Sequence, residues 1–318
     1  MVAPLRPDDV ARHAEMAANR SAKNFKHWSK RLAREETNVF RVFDRDIPEV
    51  RVVVDWYDGD LVVAEYEREQ TASVERYVET VGEAVAAALG VPVERLHCKR
   101  RRTRVEGDTA GRYGASGRSV EKVVMEGGLR FYVDLESHID TGLFADHRPT
   151  RRWVWGESRG KRFLNLYGYT GSFTVKAADG EARETVTVDR SAQYLDATKR
   201  NLELNALWGP KHQLVQRDAL AFLRDARRQR ERFDLVVLDP PSFSTEGEDP
   251  ALDVLRDHRA LVEAALAVLG DGGQLWFSTN HQRFTPDLGG LGMHEVTGKT
   301  VAEEFRNRQA HRCWWTRR

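Results

Sequence analysis

From about residue 136 onward, short apolar or β-rich runs alternate with helix-patterned segments. The runs are 163–167, 184–188, 213–216, 235–238 and 274–278, and helical segments at 172–178, 192–205, 219–229 and 255–269 separate them. Strands joined by helical crossovers pair in parallel, so the pattern predicts a mostly parallel, doubly wound α/β sheet covered on both faces. In such a sheet ligands bind beyond the C-terminal strand ends, where the strand order reverses. Candidate chemistry is therefore expected at the strand ends.

The preceding residues follow another pattern. With 318 residues the chain has room for two or three domains. Residues 16–34 carry Arg20, Lys23, Lys26, Lys30, Arg31 and Arg34 and no acid. Phe25, Trp28 and Leu32 share one helical face, so this segment is an amphipathic helix with its cations outward. It is either a phosphate-contacting arm or an ordinary solvated face. Residues 38–135 form a small α+β domain. Strands are expected at 39–43, 50–57 and 61–66, the last two joined at Asp58-Gly59, with a helix at 73–89 stopped by Gly90 and Pro92. A second basic cluster follows at Lys99, Arg100, Arg101, Arg102 and Arg104. Residues 107–119 are a polar, glycine-rich loop, and a hairpin turns at Gly127-Gly128. The expected domains are thus 1–37, 38–135 and 136–318.

Composition excludes some classes. Hydrophobic residues are 41% and charged residues 31%, which fits a packed core rather than wholesale disorder. No run approaches the ~20 apolar residues of a membrane span. Residues 1–10 contain two prolines, Arg6, Asp8 and Asp9, so no signal peptide is expected. Cys98 and Cys313 are far apart and no CxxC occurs, so neither a cysteine zinc site nor a disulfide framework is expected. The expected setting is a reducing cytoplasm, with no metal and no membrane.

Four strand ends carry the chemistry. The first runs into Gly168-Tyr169-Thr170-Gly171-Ser172, where glycine permits positive φ and close approach of a ligand. A dinucleotide fingerprint needs glycine at 168, 170 and 173, but Thr170 and Phe173 stand at the last two, and no Walker Lys follows. A nicotinamide dehydrogenase is therefore disfavoured. The second strand ends at Asp189, placed either for ribose hydroxyls or as a turn aspartate. The third ends at Asp218, placed either for adenine N6 or as a helix cap. Together they describe a pocket for a nucleoside without phosphates. The fourth strand enters Asp239-Pro240-Pro241-Ser242-Phe243. The paired prolines stiffen the turn and withdraw two donors, leaving carbonyls and the Asp239 carboxylate as acceptors. Phe243 offers a surface on which a base can stack.

This order of glycine loop, acidic strand end, Asp218 and DPPSF resembles the class I S-adenosylmethionine-dependent methyltransferases that modify nucleic-acid bases. The segments DTGLFADHRPTRRW (140–153), NLYGYTGSF, DPPSFS and FRNRQAHRCW (305–314) narrow the resemblance, as do ANRSAKNFKHWSKRLAREE and FRVFDRDIPE. They are similar to the C-terminal, N7-methylguanosine-forming half of the bifunctional 23S rRNA guanine methyltransferases (the RlmKL type), from about residue 16 onward. The resemblance implies a Rossmann-like methyltransferase sheet, S-adenosylmethionine as cofactor, and 23S rRNA or a large-subunit assembly particle as partner. The fused relatives also carry an RNA-binding module and an N2-guanine methyltransferase. Neither is seen here, so only the N7 activity is implied.

The same resemblance places Phe144, Asp146 and Arg148 at the methionine end of the cofactor. Asn165, Tyr167, Tyr169, Thr170 and Gly171 form the loop beneath it. Asp189 lies on the ribose with Arg190 and Ser191 beside the adenosine, and Asp218 and Ala219 lie at the adenine. Relatives that make 5-methylcytosine carry a cysteine after the fifth strand, where this chain has Phe277-Ser278-Thr279-Asn280. Neither thiol is expected beside the cleft. Guanine N7 has a lone pair and no proton, so in-line transfer requires alignment rather than a general base. Asp239 and nearby carbonyls are expected to accept from guanine N1–H and N2–H₂. N7 faces the deep major groove of an RNA helix, so the target base is unpaired or flipped out. The two basic clusters would grip phosphates, with steep salt dependence. The alternatives are another base atom, cytosine C5 or guanine N2, and a noncatalytic rRNA-binding assembly factor.

Overall fold

The computed structural model describes residues 5–66, 68–101, 118–138, 140–242, 252–306 and 310–318. Arg102, Arg104, Phe243 and most of the expected loop 107–119 lie outside them. The chain divides into two compact units, Met1–Ala145 with Glu303–Asn307, and Asp146–Ala302 with Arg308–Arg318. The division falls at Ala145/Asp146, past the expected 135/136.

The first unit contains α1 (Pro7–Arg34), β1 (Val39–Asp44), β2 (Val52–Tyr57), β3 (Asp60–Tyr66), α2 (Glu69–Ala72), α3 (Tyr77–Leu89), β4 (Leu96–Arg101), β5 (Glu121–Glu126) and β6 (Leu129–Asp134). Helix α1 begins earlier than the basic segment suggests. Pro7 occupies its first turn with Asp8 and Asp9, which suit the positive end of the helix dipole. Its inward face buries Val10, Ala14, Ala17 and Leu32. Phe25 packs 4.6 Å from the Trp56 ring and 6.0 Å from Phe40. The helix therefore belongs to this unit's core and is no separate arm. Small residues, Ala14 and Ala17, let it lie close to α3.

The sheet order is β1-β2-β3-β4. Asp58 and Gly59, with φ of 46° and 95°, make the two-residue turn between β2 and β3. Gly127 and Gly128 turn the β5–β6 hairpin in the same way. Strand β4 was legible only as a basic cluster. It pairs parallel to β3 at the sheet edge, where Lys and Arg discourage further strand pairing.

The second unit contains α4 (Arg148–Glu157), β7 (Arg162–Leu166), α5 (Ser172–Asp179), β8 (Glu184–Asp189), α6 (Ala192–Leu204), β9 (His212–Gln216), α7 (Ala219–Arg228), β10 (Phe233–Leu238), α8 (Val254–Ala267), β11 (Leu269–Thr279), β12 (His294–Glu295), α9 (Thr297–Thr300) and β13 (Arg312–Arg317). The sheet order is β12-β13-β11-β10-β7-β8-β9. Strands β7 to β11 are parallel, as the alternation predicts, and β13 runs antiparallel to β11. The chain builds β8 and β9 on one side of β7 and β10 and β11 on the other. The order therefore reverses between β7 and β10.

Phe163, Phe233 and Phe277 are fully buried in this sheet. Truncating one typically costs roughly 3–5 kcal/mol. The β12–β13 pair escapes the sequence pattern because Arg312-Cys313-Trp314-Trp315-Thr316-Arg317 looks like a charged tail. Its arginine is neutralised locally, Arg312 pairing with Glu295 at 2.8 Å while lying 4.7 Å over the Trp314 ring.

Candidate active site at the strand ends

The loop after β7 turns by unusual backbone. Tyr167, Tyr169 and Gly171 have φ of 58°, 49° and 76°. Two non-glycine residues in the left-handed region are uncommon and require outside support. Asp189 supplies part of it, accepting from the Tyr169 N–H at 3.0 Å and the Ser191 N–H at 2.9 Å. Helix α6 supplies the rest. Thr198 Oγ1 lies 3.0 Å from the Tyr169 and Tyr194 carbonyls, and the Asn201 amide donates to the Thr170 carbonyl at 2.9 Å. A Cβ at Gly171 would stand 2.3 Å from Thr198 Cγ2, and one at Gly168 would stand 2.3 Å from Thr187 Cγ2. Both glycines are thus required by packing.

The structure brings Asp189 to this loop as expected, and it also serves the turn reading, because its two backbone bonds fix the strand exit. Ser191 caps α6 through Tyr194 N–H, and Asp218 caps α7 by accepting from Ala221 N–H at 2.9 Å. The helix-cap reading of Asp218 is therefore realised on one oxygen. Ala219 is buried behind it and Arg190 is half-buried. Asn165 points inward, its amide spent on Thr174, whose hydroxyl meets Thr187 at 2.7 Å. It props the loop from below. Tyr167 is largely buried, and burial followed by the Asp218 charge pushes its phenol well above the ordinary range. The Tyr169 and Tyr194 rings meet edge to face at 4.7 Å.

Across the reversal point stands Asp239. It is 27% exposed and accepts from Ser278 Oγ at 2.6 Å through one oxygen. Its other oxygen lies 3.7 Å from His147 Nε2. Pro240 is buried and Pro241 exposed. Ser242 donates to Asn280 at 2.7 Å, tying the proline turn to the end of β11.

His147 caps α4 and is fully buried. Its ring stacks on His311 with centroids 3.7 Å apart and 9° between planes, and meets Phe173 edge to face at 5.7 Å. His311 in turn bonds Asp146 at 2.7 Å and Thr300 at 3.2 Å. Asp146, His147 and His311 converge closely enough to suggest a metal site. Two nearly parallel imidazoles, however, hold their in-plane lone pairs in separate planes and cannot share one ion in ordinary geometry. The cluster is instead a hydrogen-bonded wall. Among the described residues His147 Nδ1 has no hydrogen-bond partner, and Nε2 is the ring nitrogen that faces Asp239. Arg148 begins α4 and is half-buried. Phe144 belongs to the first unit, where it is exposed.

Burial, reinforced by the neighbouring His311, lowers His147 to about 4. In the unfolded chain the group titrates near 6.5. Unfolding therefore takes up a proton between these values, and stability is full above pH 6.5 and lost as pH falls toward 4. By pH 5 this costs about 2 kcal/mol. In urea melts at pH 7.5 and 5.0, His147→Gln should shrink the stability difference by about that amount. An undiminished difference would place the acid sensitivity elsewhere.

One expectation about thiols is corrected. Cys313 sits opposite Ser278 in the β11–β13 ladder, close to the Asp239 end of the sheet. It is fully buried, and burial, then the Asp239 charge, raises its thiol far above the range of a useful nucleophile. Cys98, in the first unit, is likewise raised by burial, to about 12. A thiolate attack on a cytosine ring has no agent among these two.

The basic residues divide into occupied and open. Arg20 pairs with Asp46 at 2.8 Å, and Arg31 makes a forked bond to Glu303 at 2.7 and 2.8 Å. Lys99 donates to the His138 carbonyl at 2.6 Å and Arg100 to the Val74 carbonyl. These four are spent on the fold, and Arg101 ends β4. Lys23, Lys26 and Lys30 are exposed on α1.

Sequence reasoning missed Thr198, Asn201, Ser278 and His311. Thr198 and Asn201 lie on the buried face of α6 beside Leu195 and Leu202, and a polar pair on an apolar helical face is a detectable signal. Ser278 and His311 depend on long-range pairing and leave none.

Comparison with known proteins agrees with this geometry. A relative from Allochromatium vinosum, named ribosomal RNA large subunit methyltransferase K/L, is 42% identical over 98% of this chain. This chain spans only 43% of that relative's length. A Neisseria meningitidis serogroup B protein named ribosomal RNA large subunit methyltransferase K is 40% identical over 93% of this chain and 85% of its own. A solved structure from Streptococcus mutans, titled as a SAM-dependent methyltransferase, shares the fold with a TM-score of 0.76. It is 20% identical over all of this chain and 83% of that one. Residues 38–308 match the family described as S-adenosylmethionine-dependent methyltransferase, and the chain belongs to that family.

Proposed function

We propose that the chain methylates N7 of a guanine in 23S rRNA. The carrying observation is the Asp239 carboxylate, pinned by Ser278 at the point where the strand order reverses. Relatives named for large-subunit rRNA supply the substrate class. S-adenosylmethionine, when bound, supplies an electrophilic sulfonium methyl.

The residues present fit that cofactor. Asp189, held at the strand end by two backbone donors, would accept from the ribose hydroxyls. Arg190 and Ser191 border the adenosine, with the remaining oxygen of Asp218 and Ala219 toward the adenine. The first turn of α5 carries no acid, so its positive end suits the methionine carboxylate, with Arg148 and Asp146 nearby in sequence at the start of α4. Tyr167, Tyr169, Thr170 and Gly171 form the floor.

Toward the base, Asp239 accepts from the N1–H and N2–H₂ edge of guanine. Ser278 holds one of its oxygens, and His147 Nε2 lies 3.7 Å from the other. A carboxylate there also favours the positive charge that N7 methylation places on the purine. His147, lowered to about 4, is neutral at pH 7 and does not oppose that charge. No group needs to remove a proton. Lys23, Lys26 and Lys30, exposed on α1, would contribute phosphate contacts.

The test is incubation of the purified protein with S-adenosylmethionine and unmodified 23S rRNA, then borohydride and aniline. One new strand break marks N7-methylguanosine and its position. Methyl incorporation without a break overturns the N7 assignment. No incorporation, on either naked rRNA or precursor particles, overturns the activity.

A further inference from the structure

The second unit has two neighbouring clefts, of about 750 and 700 Å³. Arg227, Arg232, Arg317 and Arg318 line the first. Arg217, Arg224, Arg227 and Arg228 line the second. Arg227 belongs to both. Among the described residues, three carboxylates stand against the seven arginines: Asp225 lies between Arg217 and Arg228, Glu157 lies 3.6 Å from Arg317, and Glu263 pairs with Arg259 at 2.9 Å, while Arg232 and Arg318 also donate to the Glu231 and Leu269 carbonyls. Every one of the seven arginines is exposed.

The strip runs from Arg217, just past the C-terminal end of β9, along α7 toward the N-terminal ends of the parallel strands. Helix α7 starts at Asp218, beside the proposed nucleoside pocket, and descends to Arg228 just before β10 begins. Strand β13 is antiparallel, so its last residues, Arg317 and Arg318, reach the same end, beside Gln274 and Gly273. On α7, Arg224 and Arg227 or Arg228 stand one turn apart, about 5 Å along the axis. That spacing suits successive phosphates of one strand. Arginine also supplies a planar fork that bonds phosphate oxygens in pairs.

We infer that this strip binds the backbone of the rRNA substrate, away from the methylated base. The inference rests on the rRNA reading above and adds a surface which that reading does not use. A run of cations along two neighbouring clefts would hold a long RNA, not a nucleotide. Substrate choice would then depend on RNA well outside the target loop.

The test reads binding, not methylation. Full-length protein is titrated with in vitro transcribed 23S rRNA at 50–200 mM salt, beside the triple variant Arg224→Glu, Arg227→Glu, Arg232→Glu. Three lost phosphate contacts should reduce the magnitude of the log–log salt slope by about 2. Across that salt range the wild type should therefore lose roughly 16-fold more affinity than the variant. The corresponding lysine triple should keep the slope. If the glutamate triple fails to fold, judged by its melting curve, Arg317→Glu with Arg318→Glu tests the same cleft from another element and should lower the slope by more than 1. Unchanged slope and affinity in the folded variants overturn the inference, and that is also the result an acidic protein partner predicts. Salt-steep binding lost in the variants, with no RNA methylated by the wild type, would sink the proposed activity and leave the strip standing.

Discussion

Asp239→Ala should lower turnover on 23S rRNA by about 10²–10³-fold, the usual cost of removing one preorganised polar group from a developing charge. S-adenosylmethionine affinity should change little, because the nucleoside contacts are assigned to Asp189 and Asp218, on other strands. The structural cost should be about 1–3 kcal/mol, because the buried Ser278 hydroxyl loses its acceptor. Asp239 is part-exposed, and its removal frees the Ser278 hydroxyl without leaving a buried charge unpaired. Asp239→Asn makes the sharper comparison. It can keep the Ser278 bond through its carbonyl, but it presents an amide donor where an acceptor is required. Turnover should fall nearly as far as in the alanine variant, and melting temperature should not move. Single-turnover methylation and cofactor titration separate the two effects. Wild-type turnover in either variant removes Asp239 from the mechanism.

The parallel sheet and the loops at its strand ends were legible because they follow from local pattern. Alternating apolar runs and helices fix the parallel core, and glycine and proline mark the turns at Gly168–Gly171 and Pro240-Pro241. The carboxylates at 189, 218 and 239 follow from strand polarity alone. What escaped needs partners distant in sequence. Strand β13 becomes a strand only because β11 is beside it, and its arginines conceal the buried Cys313 and Trp314. The His147–His311 stack joins a helix cap to a residue 164 positions away. Lys99 and Arg100 illustrate the opposite error. A basic cluster suggests phosphate binding, yet both side chains turn back to backbone carbonyls. Meanwhile the arginines of α7 and β13, scattered in sequence, meet in one strip. Charge density along the chain is a poor guide to charge density on the surface.

The loop itself predicts the second large effect, at Gly171. Its φ of +76° costs an L-residue roughly 1–2 kcal/mol. The added Cβ would also stand 2.3 Å from Thr198 Cγ2 and 2.6 Å from its Oγ1. Thr198 is fully buried and tied to two carbonyls, so it cannot swing aside. The loop must move instead, at a further cost of roughly 1–3 kcal/mol. Movement would draw Tyr169 N–H away from Asp189 and unset the carboxylate assigned to the ribose. Gly171→Ala should therefore weaken S-adenosylmethionine binding by at least about 30-fold, the equivalent of ~2 kcal/mol. Thr198→Ala in that background should recover only part, since it removes Cγ2 and Oγ1 but leaves the backbone strain and Thr198's own Cβ at 2.8 Å. Gly156→Ala is the matched control. That glycine lies within α4, has open space at its Cβ position and should gain a few tenths of a kcal/mol up to about 1 from helix propensity. Calorimetric titration with the cofactor, beside thermal melts of all three variants, decides the matter. Tight binding by a folded Gly171→Ala protein would mean that this loop is not the cradle of the cofactor.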